Sequence, residues 1–215
     1  MTYFRELPNL EYQSFLSDQR SSNDYLLVKN IFRRVKLRDD LQNVFTVFNK
    51  YQIKDGERPD TVAKEVYGST QYDWIVLISA GIINVRNEWP LSDKQIYDYA
   101  EEIYGNELNG IHHYETKEVR DSLDRLIFPK GKVVDSDFTI TDPNIPAQTI
   151  NPVIGISNYE YEVRKNNDKR GIYILKPQYL QQAIIDTRKE LIYDRSSQYV
   201  NDTLIRTENT RVSNP

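Results

Sequence analysis

The sequence predicts an α+β chain: a small strand–helix–helix–strand (βααβ) module preceded by an extended N-terminal arm and followed at the C-terminal end by a β-hairpin, a helix and a tail. Three observations predict it. A run rich in Val, Phe and Tyr that closes on Asp55-Gly56 alternates as a strand does. Two runs after it place apolar residues at helical spacing between start and stop signals. Beyond Gly110 the alternation returns in short pieces separated by polar turns.

From Met1 to about Asn23 the chain is polar and irregular, with Pro8 and several serines, and reads as an extended arm. Leu26, Leu27, Ile31, Phe32 and Val35 are spaced by threes and fours, which predicts a short helix capped by Asn23 or Asp24. Its apolar face is too small to fold alone, so it must dock. Val44 to Ile53 predicts a strand ending at the Asp55-Gly56 turn. Pro59 beside Asp60 then marks a helix start, because proline lacks an N–H where none is needed and an acid suits the positive end. Gly68 after Tyr67 marks its stop. Thr70 and Asp73 have capping-box spacing for a second helix bearing Tyr72, Ile75, Val76 and Ser79, which ends near Gly81. Ile82-Ile83 is expected to return as a strand beside the first. Trp89-Pro90 breaks the chain, and Ser92 with Gln95 caps a third helix carrying Ile96, Tyr99, Ala100 and Ile103 up to Gly105.

Past Gly110, short strands are expected at His112 to Val119, Leu126 to Val134 and Phe138 to Ile140. Asp142 to Pro152, with three prolines, reads as a linker. Tyr159 to Val163 alternates, a polar turn follows at Asn166-Asn167-Asp168, and Ile172 to Leu175 returns; this predicts a hairpin in which Glu160 and Glu162 face Lys169 and Arg170. A helix from Pro177 presents Leu180, Ala183, Ile184, Thr187 and Leu191 on one stripe. From about Asp194 the chain is polar, and a tail ordered by other chains is expected. The organisation is thus an arm with a short helix (1–43), the module with its following helix (44–105), a β-rich region and Pro-rich linker (106–157), and the hairpin, helix and tail (158–215).

Composition narrows the function classes. With 215 residues, 39% hydrophobic and 28% charged, the chain can build one core with long extensions or two small ones. The mean hydropathy of −0.67 leaves much of it facing water or partners. Net charge is −4, from 28 basic and 32 acidic residues. The one dense basic run, Lys29, Arg33, Arg34, Lys36 and Arg38, suits an acidic protein partner better than a phosphate backbone, so no nucleic acid is expected. There is no cysteine, which excludes disulfides and thiolate chemistry and fits assembly in a reducing cytoplasm. No apolar run reaches the ~20 residues of a membrane helix, and Met1 to Gln13 is no secretory signal. Tyrosine is abundant at 16, and its broad ring with a polar tip suits wet subunit interfaces.

No chemistry stands out. His112 and His113, the only histidines, are adjacent in an expected strand, so their side chains should point to opposite faces and not share a metal. The acid pairs Glu101-Glu102, Asp39-Asp40 and Asp135 with Asp137 read as solvated charge. No phosphate-binding glycine loop or serine elbow is present. The expectation is a chain without enzymatic activity and without a cofactor or metal.

Tyr51-x-Ile53-x-Asp55-Gly56, Asp60-Thr61-Val62-Ala63-x-x-Val66-Tyr67-Gly68, Tyr72-x-Trp74-x-Val76-Leu77 and Asn84 together resemble a LysM module. Glu57-Arg58-Pro59 interrupts the usual contiguous Gly-Asp-Thr run, which weakens sugar binding as the purpose. With Ile31-Phe32-Arg33 before it and Trp89 and a capped helix after it, the stretch from about Leu26 to Gly105 is similar to the LysM-containing baseplate wedge subunits of T-even-type contractile-tailed phages. The resemblance implies a structural virion protein, made in the host cytoplasm and held in the tail baseplate. It implies that the chain clasps other wedge subunits, namely the core-bundle proteins and the lysozyme-like subunit that nucleates the sheath, and joins neighbouring wedges, in six copies or a multiple of six. Tyr51, Ile53, Tyr67, Gly68, Trp74 and Val76 would form the module's core. Phe32, Arg33, Arg34, Trp89, Leu180, Ile184 and Leu191 are the candidate partner contacts. The alternative is a peptidoglycan- or glycan-binding module of a tail or lysis protein.

Overall fold

A computed structural model describes residues 3–13, 25–37, 45–121, 123–142 and 145–207. In chain order its elements are α1 (Tyr3–Glu6), β1 (Asn9–Gln13), β2 (Tyr25–Lys29), β3 (Phe48–Gln52), α2 (Pro59–Tyr67), α3 (Asp73–Ser79), α4 (Val85–Glu88) and α5 (Asp93–Tyr104). Next come β4 (Ile111–Thr116), β5 (Val119–Arg120), β6 (Leu126–Phe128), β7 (Val133–Val134), β8 (Ile140–Asp142), β9 (Ile145–Ile150) and β10 (Val153–Ser157). Last are α6 (Asn158–Asp168), β11 (Gly171–Leu175), α7 (Leu180–Glu190), β12 (Tyr199–Asn201) and β13 (Leu204–Arg206). The architecture is α+β, as the sequence predicts. Contacts group the chain into two units, Met1–Ile53 with Glu57–Glu88 and Gly171–Pro215, and Lys54–Gly56 with Trp89–Arg170.

In the first unit, α2 begins with Pro59 at its first position, and the Arg58 N–H donates to Thr61 Oγ1 at 3.0 Å. It ends at Gly68, whose φ of +76° is the left-handed conformation glycine adopts without strain, and whose N–H returns to the Lys64 carbonyl. Ser69, rather than Thr70, supplies the next cap by accepting from the Gln71 N–H at 3.3 Å. Helix α3 then buries Trp74, Ile75 and Val76. Trp74 and Ile75 pack with Leu37, Val47, Leu175, Leu180, Ala183 and Ile184 into one apolar cluster, with Tyr67 and Tyr72 against it.

Further expectations in this unit are corrected. Ile82-Ile83 is not a strand: with Gly81 at φ +72°, Ile82 N–H is drawn back to the Leu77 carbonyl, and Glu88 Oε2 accepts from the Ile83 N–H at 2.6 Å. The strand beside β3 is β11, antiparallel, with Tyr51 opposite Ile172 and Asn49 opposite Ile174. Leu26 to Val35 is not a helix either. β2 pairs along its whole length with β1, from Asn9↔Lys29 to Gln13↔Tyr25, and a short helix with one weak apolar face cannot compete with five ladder pairings. Asn23 and Asp24, expected as its caps, lie outside the described residues. The expected tail is partly ordered within the chain itself. β13 runs parallel to β1 and antiparallel to β12, which makes a four-stranded sheet in the order β12-β13-β1-β2.

In the second unit, α5 carries the expected capping box, with Gln95 N–H to Ser92 Oγ and Ser92 N–H to Gln95 Oε1. β10, β4 and β7 form an antiparallel sheet. The expected hairpin at 158–175 does not exist, because Asn158–Asp168 is helical, capped by Ser157 Oγ accepting from the Glu160 N–H at 3.1 Å. Its buried stripe is Asn158, Glu162 and Asn166, each four residues from the last and each polar. Asn166 exchanges two hydrogen bonds with the backbone of Leu91, Glu162 accepts from the Tyr104 hydroxyl, and Asn158 donates to the Glu107 carbonyl. Glu160 pairs along the helix with Arg164, and Arg170 with Asp55 and Asp93. The predicted linker also contains regular structure, since β8 and β9 pair antiparallel.

Candidate interaction surface

The segment around β2 is held from beneath and bare above. Asn30 is buried, and its Nδ2 donates to the Tyr193 hydroxyl at 2.8 Å, which in turn donates to the Asn9 carbonyl at 3.1 Å. The Phe32 N–H donates to Asn30 Oδ1 at 3.2 Å, and the Ile31 N–H to the Lys29 carbonyl. These bonds make a tight turn that points Ile31 and Phe32 outward, and Phe32 is 88% exposed. Val35 then dives into a small cluster with Leu7 and Leu191, and Leu37 reaches the main core. The turn is therefore pinned at both ends, and its exposed aromatic ring is displayed rather than left over.

On β2 itself Leu26, Leu27 and Val28 are all exposed, Leu27 at 64%, and Tyr12 on β1 opposite Leu26 is exposed as well. Solvent-facing apolar side chains in an unbroken run are the informative kind of exposure. The flank is basic. Lys29 Nζ donates to the Leu7 carbonyl at 2.8 Å, and Arg33 donates to the Glu190 carbonyl at 3.3 Å while lying over the Tyr193 ring. Carbonyls orient these cations without cancelling their charge. Arg34 is exposed. Glu6, whose carboxyl feels the Lys29 charge, is committed to Arg188 through two hydrogen bonds of 2.6 and 3.0 Å; that pair, with Lys29 adding, holds its carboxyl below the ordinary 4.5.

The other candidate contacts are placed differently. Trp89 is only 7% exposed and lies inside the fold. Leu180, Ile184 and Leu191 are buried too: the stripe of α7 closes on this chain's own core and offers no surface to a partner. Among the expected module core, Ile53, Trp74 and Val76 are buried, and Tyr67 is half-buried with its hydroxyl donating to the Leu175 carbonyl at 2.8 Å. Tyr51 is partly exposed, and its hydroxyl is shared between Glu57 and Glu65; burial and these two carboxylates push its proton affinity up.

A groove of about 530 Å³ lies in the first unit, lined by Tyr3, Phe4, Trp74, Leu77 and Val85 together with Arg58 and Asp60. Asp73 Oδ1 is buried there without a hydrogen-bond partner among the described residues. The histidines, expected on opposite faces, are instead 2.8 Å apart between Nδ1 atoms. The β4–β10 register explains it: Ile156 faces His113 and Ser157 faces Ile111, so His112 is an extra residue in a bulge and turns back toward its neighbour. His112 stacks on Tyr161 at 3.9 Å, and His113 Nε2 meets Glu115, which also accepts from Arg164 at 2.7 Å. Among the described residues no three metal-ligating side chains converge. Glu101, Glu102, Asp135 and Asp137 are exposed, and Asp39 and Asp40 lie outside the described residues.

The sequence singled out Phe32, Arg33 and Arg34 but missed Leu26, Leu27 and Val28 as an exposed strand. The signal was present in Tyr25-Leu-Leu-Val-Lys, a β-prone run with a turn-forming Asn directly after it. No curated protein matches the chain. Residues 4–188 match a family model described as Base plate wedge protein 53.

Proposed function

Since the chain belongs to the base plate wedge protein 53 family, a structural component of the phage tail baseplate that associates with other baseplate proteins, we propose that it clasps the wedge subunits of a contractile tail and joins one wedge to the next. Its partners in this reading are the core-bundle proteins, the lysozyme-like sheath-nucleating subunit and the neighbouring wedge, with six copies or a multiple of six in each baseplate. The observation that carries it is the pinned turn: buried Asn30 and Tyr193 hold Ile31 and Phe32 out beside the exposed Leu26–Val28 run and cations. A monomer gains nothing from fixing an aromatic ring in water, whereas an assembling subunit gains a preorganised anchor, because less ordering entropy is lost on contact.

A LysM-like module is part of the same proposal, in altered form. β3, α2, α3 and β11 have the order strand, helix, helix, strand, with the second strand arriving only after residues 89–170. The module then serves as a rigid mount. The glycan-binding alternative is supported by the aromatic-walled groove at the start of α2. It predicts that the purified chain sediments with peptidoglycan, where the wedge reading predicts that it stays in solution.

The test is co-expression of the full chain with the other wedge proteins of its phage, followed by size-exclusion chromatography. A stable complex is expected, and Phe32→Ser with Arg34→Glu should weaken it at least tenfold while the melting temperature is kept. A chain that elutes alone from every combination overturns the proposal.

A further inference from the structure

The edge of β2 has a specific geometry. The Asn30 N–H donates to the Pro8 carbonyl at 2.9 Å, which makes Asn30 and Pro8 a hydrogen-bonded pair of the antiparallel ladder. Hydrogen-bonded pairs recur every second residue, so Val28 with Leu10 and Leu26 with Tyr12 also face each other through their backbones. The N–H and C=O groups of Tyr25 and Leu27 therefore point away from β1. β2 is the last strand of its sheet, and no described residue pairs with that side.

Edge strands of proteins that act alone are blunted by shortness, bulges, prolines or inward charges. The opposite edge of this sheet follows that rule: β12 is three residues long and its pairing to β13 is broken by a register shift. β2 does not. It is five residues long and regularly paired, with Leu26 and Val28 exposed on one face and Leu27 on the other.

Resting on the wedge reading above, we propose that β2 takes an added strand from another baseplate protein, an extended segment with alternating apolar side chains and carboxylates at the end that meets Lys29, Arg33 and Arg34. Backbone groups of Tyr25 and Leu27 bond the incoming strand, the Leu26–Val28 side chains are covered by its alternate residues, and Phe32 closes over one end. This is strand addition, in which the main chain supplies affinity and side-chain alternation supplies register. The occupant is a different chain rather than a second copy. An antiparallel copy of β2 would present Tyr25 and Arg206, which lies over the Tyr25 ring, to Lys29 and the arginines, and Glu11 there is already bound to Arg206. Among the described residues it would bring to the cations no carboxylate that is not already paired.

The probe is the wedge complex of the same phage assembled without this chain, titrated with the full-length protein. Leu27→Pro removes only an outward N–H, and proline is tolerated on a free edge; Leu27→Ala keeps the N–H and removes the side chain. Binding should fall at least tenfold for Leu27→Pro and less for Leu27→Ala, and should weaken with added salt. Amide exchange on the wild-type chain gives a readout that does not depend on the variant folding. The Leu27 amide should exchange fast and the Val28 amide slowly in the free protein, and both slowly in the complex. If the complex forms with unchanged affinity for Leu27→Pro and a fast Leu27 amide, strand addition is overturned and the wedge role stands. Protection of Leu27 in the isolated protein, rising with concentration, makes a second copy the occupant and overturns the proposal. Failure of the wild-type chain to bind the wedge overturns the functional reading itself.

Discussion

Single side chains in this protein divide into those that hold the backbone and those that face outward. Gly68 belongs to the first kind: at φ +76°, with nothing within 4 Å of where a Cβ would stand, its role is conformational only. Gly68→Ala should therefore cost roughly 1 kcal/mol, the strain of a left-handed alanine, seen as a lower urea midpoint with an unchanged m-value. Trp74 is in the core, and Trp74→Ala should cost about 3–5 kcal/mol by the same measurement. Phe32 is the opposite case, and Phe32→Ser should leave the urea midpoint within about 0.5 kcal/mol of wild type. Glu115 makes stability depend on pH. Hydrogen bonds from His113 and then Arg164 hold its carboxyl below the ordinary 4.5. A carboxyl depressed in the folded state adds stability above its unfolded value and loses it as pH falls through the folded one. Thermal melts from pH 6 to pH 3 should show wild type losing its advantage over Arg164→Met below about pH 4.5.

Among the elements, those whose signals are local were legible. Pro59 and Gly68 bracket α2, and Ser92 with Gln95 opens α5, as the sequence predicts, because caps act within one turn. The failures share a cause in distance or polarity. β3 finds its partner in β11, far along the chain, so no local pattern could replace the expected Ile82-Ile83 strand. Helix α6 stands where the sequence predicts a strand at Tyr159 to Val163 and a turn at Asn166-Asn167-Asp168, because the residues it buries are Asn158, Glu162 and Asn166, to which apolar periodicity is blind. Tyr159, Tyr161 and Val163 meanwhile alternate as a strand would. Its cap was still readable: Ser157→Ala should lower stability by about 1 kcal/mol, and helical content measured by circular dichroism should melt earlier. The candidate surface was half legible. Phe32 and the arginines stood out by composition, whereas the exposure of Leu26 to Val28 follows from their pairing to β1, which spacing alone assigned to a helix.

For the molecule as a whole, the N-terminal segment is not a detachable arm. Leu7, Leu10 and Val35 are buried, and Tyr3 lies against Trp74 with ring centroids 5.7 Å apart. Removing residues 1–35 should lower the melting temperature by several degrees and unpair β13, so a truncation cannot separate folding from assembly, while the point variants on β2 can. β1 and β13 form the one parallel pair among the described strands, joining Glu11 to Arg206 across 195 positions. During translation at about 5–20 residues per second, β1 leaves the ribosome roughly ten to forty seconds before β13 exists. Through that interval the nascent β1–β2 ribbon has neither neighbour, and its leucines are open to chaperones and to other nascent chains. A force-sensing arrest peptide placed along the gene should accordingly report the final folding pull only once residue 206 has cleared the exit tunnel.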